Sequence, residues 1–272
     1  MKRTAFITGA SAGIGRAAAE LLLKNDYAVY AGARRVEKMK DLEELGAKVL
    51  SLDVTEEASV QSAADEVFKN GGRLDILINN AGYGAHGAVE DVPVAEARRQ
   101  FEVNVFGLAR LTQLVLPHMR AAGGGTIINI SSIAGKITMP TGGWYHASKH
   151  AVEAYSDALR LEVAQFGIKV VLIEPGPIKT EWDNTALVNL EKYSGAGAYG
   201  PMVRRITEKF RAGYRKGAPG PEVVAEVILK ALRANSPAAR YPVPLSASGI
   251  IFLKWLLPDF VLDWAILRML RE

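Results

Sequence analysis

The sequence predicts an α/β fold in which a doubly wound parallel β-sheet carries helices on both faces. Three observations predict it. Short apolar runs alternate with longer helix-like runs from Thr4 to Glu174, the first apolar run enters a turn containing three glycines, and several later runs end in polar or small residues. The 272 residues and 49% hydrophobic content suffice for one large domain over residues 1–272, with no linker, repeat or low-complexity tract.

Residues 4–8 form the first apolar run, Gly9, Gly13 and Gly15 shape the turn, and residues 16–24 favour a helix. Glycine permits a tight turn and lets a phosphate approach main-chain N–H groups at a helix N-terminus. Gly9, Ser11, Gly13, Ile14 and Gly15 are therefore candidate contacts for a dinucleotide pyrophosphate. The second strand, residues 27–33, ends at Ala33 and is followed by Arg34 and Arg35. An acidic side chain in this region would bind the ribose of NAD, whereas arginine accommodates the 2′-phosphate of NADP. Two arginines after a neutral residue, with Arg16 near the turn, favour NADP(H) over NAD(H).

Residues 49–54 form a third strand that delivers Asp53, beside Val54, to a position suited to an adenine amino group. Residues 74–82 form a fourth, ending in Asn79, Asn80, Ala81 and Gly82. Amides there tie neighbouring strands together, and the small Ala81–Gly82 step lets a cofactor lie close to the backbone. Both runs end where a parallel sheet presents its ligand-binding edge. A long helix over residues 95–122 carries Asn104, and the strand at 126–130 leads to Ser132.

The helix over residues 144–166 brings Tyr145 and Lys149 onto one face, a turn apart. A free phenol has a pKa of about 10, too high for proton transfer at neutral pH, and a neighbouring ammonium favours the phenolate. Ser132 adds a hydroxyl for a substrate oxygen. Such a set suits proton exchange with an alcohol or carbonyl.

Thr8, the three glycines, Asn79 to Gly82, Asn104, Ser132, the Tyr145/Lys149 pair and Pro175–Gly176 occur in an order and at spacings that resemble the short-chain dehydrogenases/reductases. The resemblance covers the chain from Thr4 to about Thr180 and departs from the family pattern at none of these motifs. It implies a Rossmann-type sheet of about seven strands and a catalytic tetrad of Asn104, Ser132, Tyr145 and Lys149. In that family tyrosine is the acid/base, serine polarises the carbonyl, and lysine serves both the tyrosine and the nicotinamide ribose. Asparagine holds a water in a proton relay. The resemblance also implies cofactor contacts at Asn80, Ala81, Gly82, Tyr145, Lys149, Pro175, Gly176, Ile178 and Thr180, and assembly as a homodimer or tetramer.

A net charge of +4 without a dense basic stripe argues against nucleic acid as a partner. The absence of cysteine excludes disulfides and thiolate metal sites. His86, His118, His146 and His150 show no metal-ligand spacing, so no metal is expected; His86, soon after Gly82, is the histidine closest to a substrate. The N-terminus lacks the apolar stretch of a signal peptide, which makes a cytoplasmic enzyme the expectation.

Residues 179–220 contain Trp182, Tyr193, Tyr199, Met202 and Phe210, and are expected to form a substrate flap or a helical excursion on the sheet. Residues 245–272 form an apolar helical extension, interrupted by Lys254, Pro258, Asp259 and Asp263, that falls short of a membrane span. It packs on its own domain, closes a subunit interface or makes peripheral contact with a membrane. Length and tail resemble the hydroxysteroid and retinol dehydrogenase branch, which implies a small apolar carbonyl or alcohol substrate. The alternatives are a 3-oxoacyl thioester reductase and a non-catalytic dinucleotide sensor.

Overall fold

A computed structural model describes residues 2–69, 72–215 and 217–271, without the side chains at 182–184, 213–215 and 271. Seven strands form one parallel sheet: β1 (Thr4–Thr8), β2 (Ala28–Ala33), β3 (Lys48–Ser51), β4 (Ile76–Asn79), β5 (Gly125–Ile130), β6 (Ile168–Pro175) and β7 (Arg240–Val243). Their order is β3-β2-β1-β4-β5-β6-β7. The chain therefore winds outward from β1 in one direction, returns, and winds outward from β4 in the other. That reversal opens a crevice at the carboxyl ends of the strands.

Successive side chains on a strand face opposite layers, and both layers here are dry. Ala5 and Ile7 join one core with Ile76, Ile78, Ile128, Val171 and Ile173. Phe6 joins the other with Leu77, Ile127 and Val170. Burial on both faces explains why these strands are continuous apolar runs rather than alternating ones. The first core is covered by α1 (Gly13–Lys24), α2 (Lys40–Glu44) and α9 (Glu222–Arg233). The second is covered by α3 (Glu57–Phe68), α5 (Gly107–Ala121) and α6 (Gly143–Val163).

The helix expected over 95–122 is continuous but irregular. It begins as α4 (Val94–Phe101), passes through a π-helical turn at Glu102–Phe106, and resumes as α5. The helix expected over 144–166 is α6, finished by a 3-10 turn at Ala164–Phe166. Residues 179–220 are largely helical, as α7 (Glu181–Ser194) and α8 (Gly200–Arg215). Strand β7 has no clear sequence signal, being four residues long with an arginine and a proline. Its place at the sheet edge accounts for Pro242, which there leaves no ladder hydrogen bond unmade.

The apolar extension is a helical hairpin, α10 (Leu245–Leu256) and α11 (Asp259–Arg271), broken at Leu257–Pro258. Helix α10 contacts β7, and α11 contacts α8.

Candidate active site and nucleotide cleft

A cleft of about 1870 Å³ runs along the carboxyl edge of the sheet, more than a drug-sized ligand requires. At one end lies the glycine turn. Gly9 and Gly13 have φ of +69° and +55°, a left-handed backbone that glycine adopts without strain. A Cβ on Gly15 would lie 2.4 Å from Asn80 Nδ2 and 2.5 Å from Gly9 O. The turn is thus packed directly on the end of β4. Asn80 Nδ2 donates to Thr8 O (3.0 Å) and Gly9 O (3.2 Å), while the backbone N–H groups of Asn80 and Ala81 both donate to Thr8 Oγ1 at 3.0 Å. The Thr8 hydroxyl is a part of this joint that glycine spacing alone does not reveal.

Asn79 ties strands, as its amide type suggests. Its Nδ2 donates to Asn129 Oδ1 on β5 (2.9 Å) and to Thr112 Oγ1 (3.1 Å), and Asn129 donates in turn to Ser156 Oγ (2.8 Å). Gly9, Ser11, Gly13, Ile14, Arg34, Arg35, Asp53, Val54, Asn80, Ala81 and Gly82 all line the cleft, and so do Pro175, Gly176, Ile178 and Thr180. Gly15 lies behind the wall, where it lets turn and strand touch. The missing Cβ atoms at Gly9 and Gly15 leave a backbone cradle at a helix N-terminus, and that cradle fits a dinucleotide phosphate.

The basic residues beyond β2 divide. Arg34 Nη1 lies 3.9 Å from Asp53 Oδ2, and Asp53 Oδ1 accepts from Thr55 N and Oγ1. Arg35 Nη2 donates to Ser11 Oγ (3.3 Å) and to Glu181 Oε2 (3.1 Å), while Lys38 Nζ pairs with the other Glu181 oxygen at 3.3 Å. Arg16 turns away from the cleft onto Glu20, Asp41 and Lys38 O. Its proximity to the turn in sequence therefore brings no charge into the site.

At the centre of the cleft α6 presents Tyr145 and Lys149. The Lys149 ammonium is 5.9 Å from the Tyr145 ring centroid and donates to Ile130 O at 2.8 Å. Burial pulls the Lys149 pKa down to about 8, against the opposing pull of Glu153. Ser132 Oγ donates to Pro175 O (3.2 Å) and accepts from Ala134 N (3.1 Å), so it joins the segment after β5 to the end of β6.

Asn104 sits inside the π turn. Its Nδ2 donates to Tyr83 O and to Ser148 Oγ, each at 3.0 Å, and its Oδ1 accepts from Tyr83 N at 3.0 Å. Ser148 Oγ donates to Tyr145 O at 2.7 Å, which completes a short chain from Asn104 to the backbone of the tyrosine. All four expected residues are therefore gathered at the middle of the cleft or directly behind it. Tyr83 and Ser148 had no local signal, because their roles depend on Asn104, distant in sequence.

The His86 ring is 5.5 Å from that of Tyr145 and lines the cleft. Burial, with His146 nearby, lowers its pKa to about 4, so it is neutral at physiological pH. His146 accepts from Met139 N through Nε2 (3.2 Å) and its Nδ1 lies 3.1 Å from Ala134 O. His118 stacks on Phe68, and His150 Nδ1 meets His146 O. Among the described residues no cluster of histidine and acidic side chains suits a metal.

Beneath the site lies a buried ionic cluster. Glu153 Oε2 pairs with Lys136 (2.7 Å) and Arg240 (3.1 Å), and Glu174 Oε1 lies 3.4 Å from Arg240 and 3.8 Å from Lys136. Burial and the adjacent Glu153 raise the Glu174 pKa to about 7. The far end of the cleft is mainly apolar, walled by Ile206 and Phe210 of α8 and by Ile250, Leu253, Leu262, Ile266 and Met269 of the hairpin, with Lys209, Lys254, Asp259 and Asp263 also on its lining.

A family model described as short chain dehydrogenase matches residues 3–189. The chain is 37% identical to a probable short-chain type dehydrogenase/reductase, VdlC, of Helicobacter pylori, covering 94% of this chain and 93% of that one. It is 38% identical to an NADPH-dependent 3-dehydrocapnine reductase of Ornithobacterium rhinotracheale, covering 99% and 98%. It is 37% identical to a 3-ketodihydrosphingosine reductase of Bacteroides thetaiotaomicron, covering 96% and 95%. Among solved structures, a short-chain dehydrogenase/reductase of Burkholderia phymatum in complex with NAD superposes with a TM-score of 0.81 at 25% identity, covering 96% and 95%. One from Burkholderia cenocepacia in complex with NADP gives 0.76 at 25% identity, covering 98% of each chain.

Proposed function

Because the chain belongs to the short-chain dehydrogenase family of oxidoreductases, we propose that it transfers a hydride between NADP(H) and an apolar ketone or secondary alcohol, with Tyr145 as acid/base. The observation that carries this reading is Tyr145 beside the buried ammonium of Lys149, at the junction of a phosphate cradle and a mainly apolar chamber. When bound, the reduced nicotinamide supplies the hydride that the carbonyl carbon accepts. Tyr145 gives its phenolic proton to the carbonyl oxygen, and Ser132 turns its one hydroxyl proton from Pro175 O to hold that oxygen by a hydrogen bond. Lys149, held by Ile130 O, stabilises the phenolate that results and would also serve the nicotinamide ribose. Asn104, through Ser148 and Tyr83, fixes the start of α6 and the β4 loop against each other.

For the cofactor, Gly9, Ser11, Gly13 and Ile14 would line the pyrophosphate cradle that Gly15 shapes from behind, Asp53 and Val54 would border the adenine, and Asn80 to Gly82 the central part. Pro175, Gly176, Ile178 and Thr180 enclose the nicotinamide end. Arg34 and Arg35 support a preference for the 2′-phosphate, because a guanidinium binds a phosphate with strong, directional hydrogen bonds. One relative's name states NADPH dependence and another's names a 3-keto compound as substrate, both in accord with a ketone reductase.

A panel of aliphatic, aromatic, steroid, retinoid and 3-oxoacyl thioester substrates with NADPH, followed by nicotinamide absorbance, tests the reading. Turnover that is lost in Tyr145→Phe while NADPH affinity is retained supports it. Tight NADPH binding without turnover of any substrate would make the chain a dinucleotide sensor, and turnover confined to the thioester would make it a 3-oxoacyl thioester reductase.

A further inference from the structure

Helices α10 and α11 are apolar on two faces. Ile250 and Leu253 of α10, with Leu262, Ile266 and Met269 of α11, line the cleft. The opposite faces carry Phe252, Trp255 and Leu256 on α10 and Phe260, Trp264 and Leu267 on α11. Trp255, Phe260 and Trp264 are 78%, 74% and 60% exposed, an apolar surface larger than a water-facing helix needs. Among the described residues no helix is long and apolar enough to cross a membrane.

Charge decides what such a face meets. Helix α8, which contacts α11, carries five basic residues and one acidic residue. Arg204, Arg205 and Arg211 on it are exposed, and Arg205 Nη1 reaches Leu270 O at 3.5 Å. The hairpin itself is near balance, with Lys254, Arg268 and Arg271 against Asp259 and Asp263, so the positive excess beside the apolar face lies on α8, and a two-fold pairing that brought α8 near its own copy would set that excess against itself. An anionic lipid surface attracts the same charges, and aromatic side chains with lysine and arginine beside them are the composition of an interfacial helix.

We propose that the outer face of the α10–α11 hairpin docks on an anionic lipid bilayer, with Trp255, Phe260 and Trp264 inserted at the headgroup boundary. The hairpin's inner face is a wall of the substrate chamber, so docking brings that chamber to the membrane. Vesicle binding depends on this face alone, whereas entry of an apolar substrate from the bilayer also rests on the dehydrogenase reading above.

The test is co-sedimentation of the full chain with phosphatidylcholine vesicles, with and without phosphatidylglycerol, together with tryptophan quenching by brominated lipid. Binding that needs phosphatidylglycerol and weakens with salt supports the proposal. Each of Trp255→Ser, Phe260→Ser and Trp264→Ser should weaken binding by about tenfold or more, and Arg204→Glu with Arg211→Glu should remove the preference for anionic vesicles. NADPH binding and turnover of a short water-soluble ketone should stay unchanged in all of these variants. Absence of vesicle binding, or quenching unaffected by the Trp255 and Trp264 substitutions, would overturn the proposal. So would loss of a dimer on size-exclusion chromatography in the serine variants without any vesicle binding, which would assign the face to a second copy.

Discussion

Gly15→Ala is the most searching perturbation of the phosphate cradle, because its consequence follows from two distances. The new methyl carbon would lie 2.4 Å from Asn80 Nδ2 and 2.5 Å from Gly9 O, about 1 Å inside ordinary van der Waals separation. The amide of Asn80 is able to rotate, but the carbonyl of Gly9 belongs to the turn, so the backbone must open. Overpacking of this kind costs about 1–3 kcal/mol. Displacing Asn80 also removes its bonds to Thr8 O and Gly9 O, each worth about 1 kcal/mol. Together these give about 3–5 kcal/mol, or a fall in Tm of roughly 10 °C for a domain of this size. Calorimetry reads the stability, and fluorescence titration reads an NADPH Kd expected to rise by about tenfold or more as the N–H groups leave their positions. Gly197→Ala, where an added Cβ meets nothing within 4 Å, is the silent control. If Gly15→Ala matched that control in both Tm and Kd, close packing of the turn on β4 would not be what shapes the cradle.

Arg34→Asp should raise the NADPH KM by about tenfold or more and leave that for NADH little changed, since it would set a carboxylate where the guanidinium is proposed to meet the 2′-phosphate; equal use of both cofactors by the unaltered chain would refute the electrostatic argument. Asn104→Ala removes three hydrogen bonds from a buried site and should lower stability by about 3 kcal/mol together with turnover, read by denaturant titration and steady-state rates. Glu174 has a pKa of about 7 in the folded chain against about 4.3 for a free glutamate, so it binds more protons folded than unfolded between these values. Its contribution to stability is complete at low pH and is lost as pH rises through 7. Glu174→Gln should therefore melt above the unaltered chain at pH 8 and level with it at pH 4; the reverse order would mean that pairing with Lys136 and Arg240 outweighs burial beside Glu153.

The parts of this molecule legible in its sequence are those whose physics is local. The glycine turn, the Tyr145–Lys149 spacing and the two long helices each depend on residues within a turn or two of one another. The ionic cluster of Lys136, Glu153, Glu174 and Arg240 is assembled from four separate segments, and no spacing announces it. Arg16 shows the converse, since closeness to the turn in sequence did not carry its side chain into the cleft. Strand β7 is specified by the edge of β6 more than by its own four residues. The apolar runs of the tail indicate helices, yet which face each turns inward is set by the cleft and α8.

The π-helical turn at Glu102–Phe106 carries a lesson for anyone redesigning this chain. An extra residue in one turn rotates everything after it by about 100° relative to a regular helix. Removing one residue would give α4 and α5 a single uniform helix with a tidier hydrogen-bond ladder. It would also swing Asn104 off the face that meets Tyr83 and Ser148, or else turn Leu111 and Val115 of α5 out of their core. A thermostabilisation campaign that scores helices by regularity would select for that deletion, and its most stable products would be the ones in which the site had come apart.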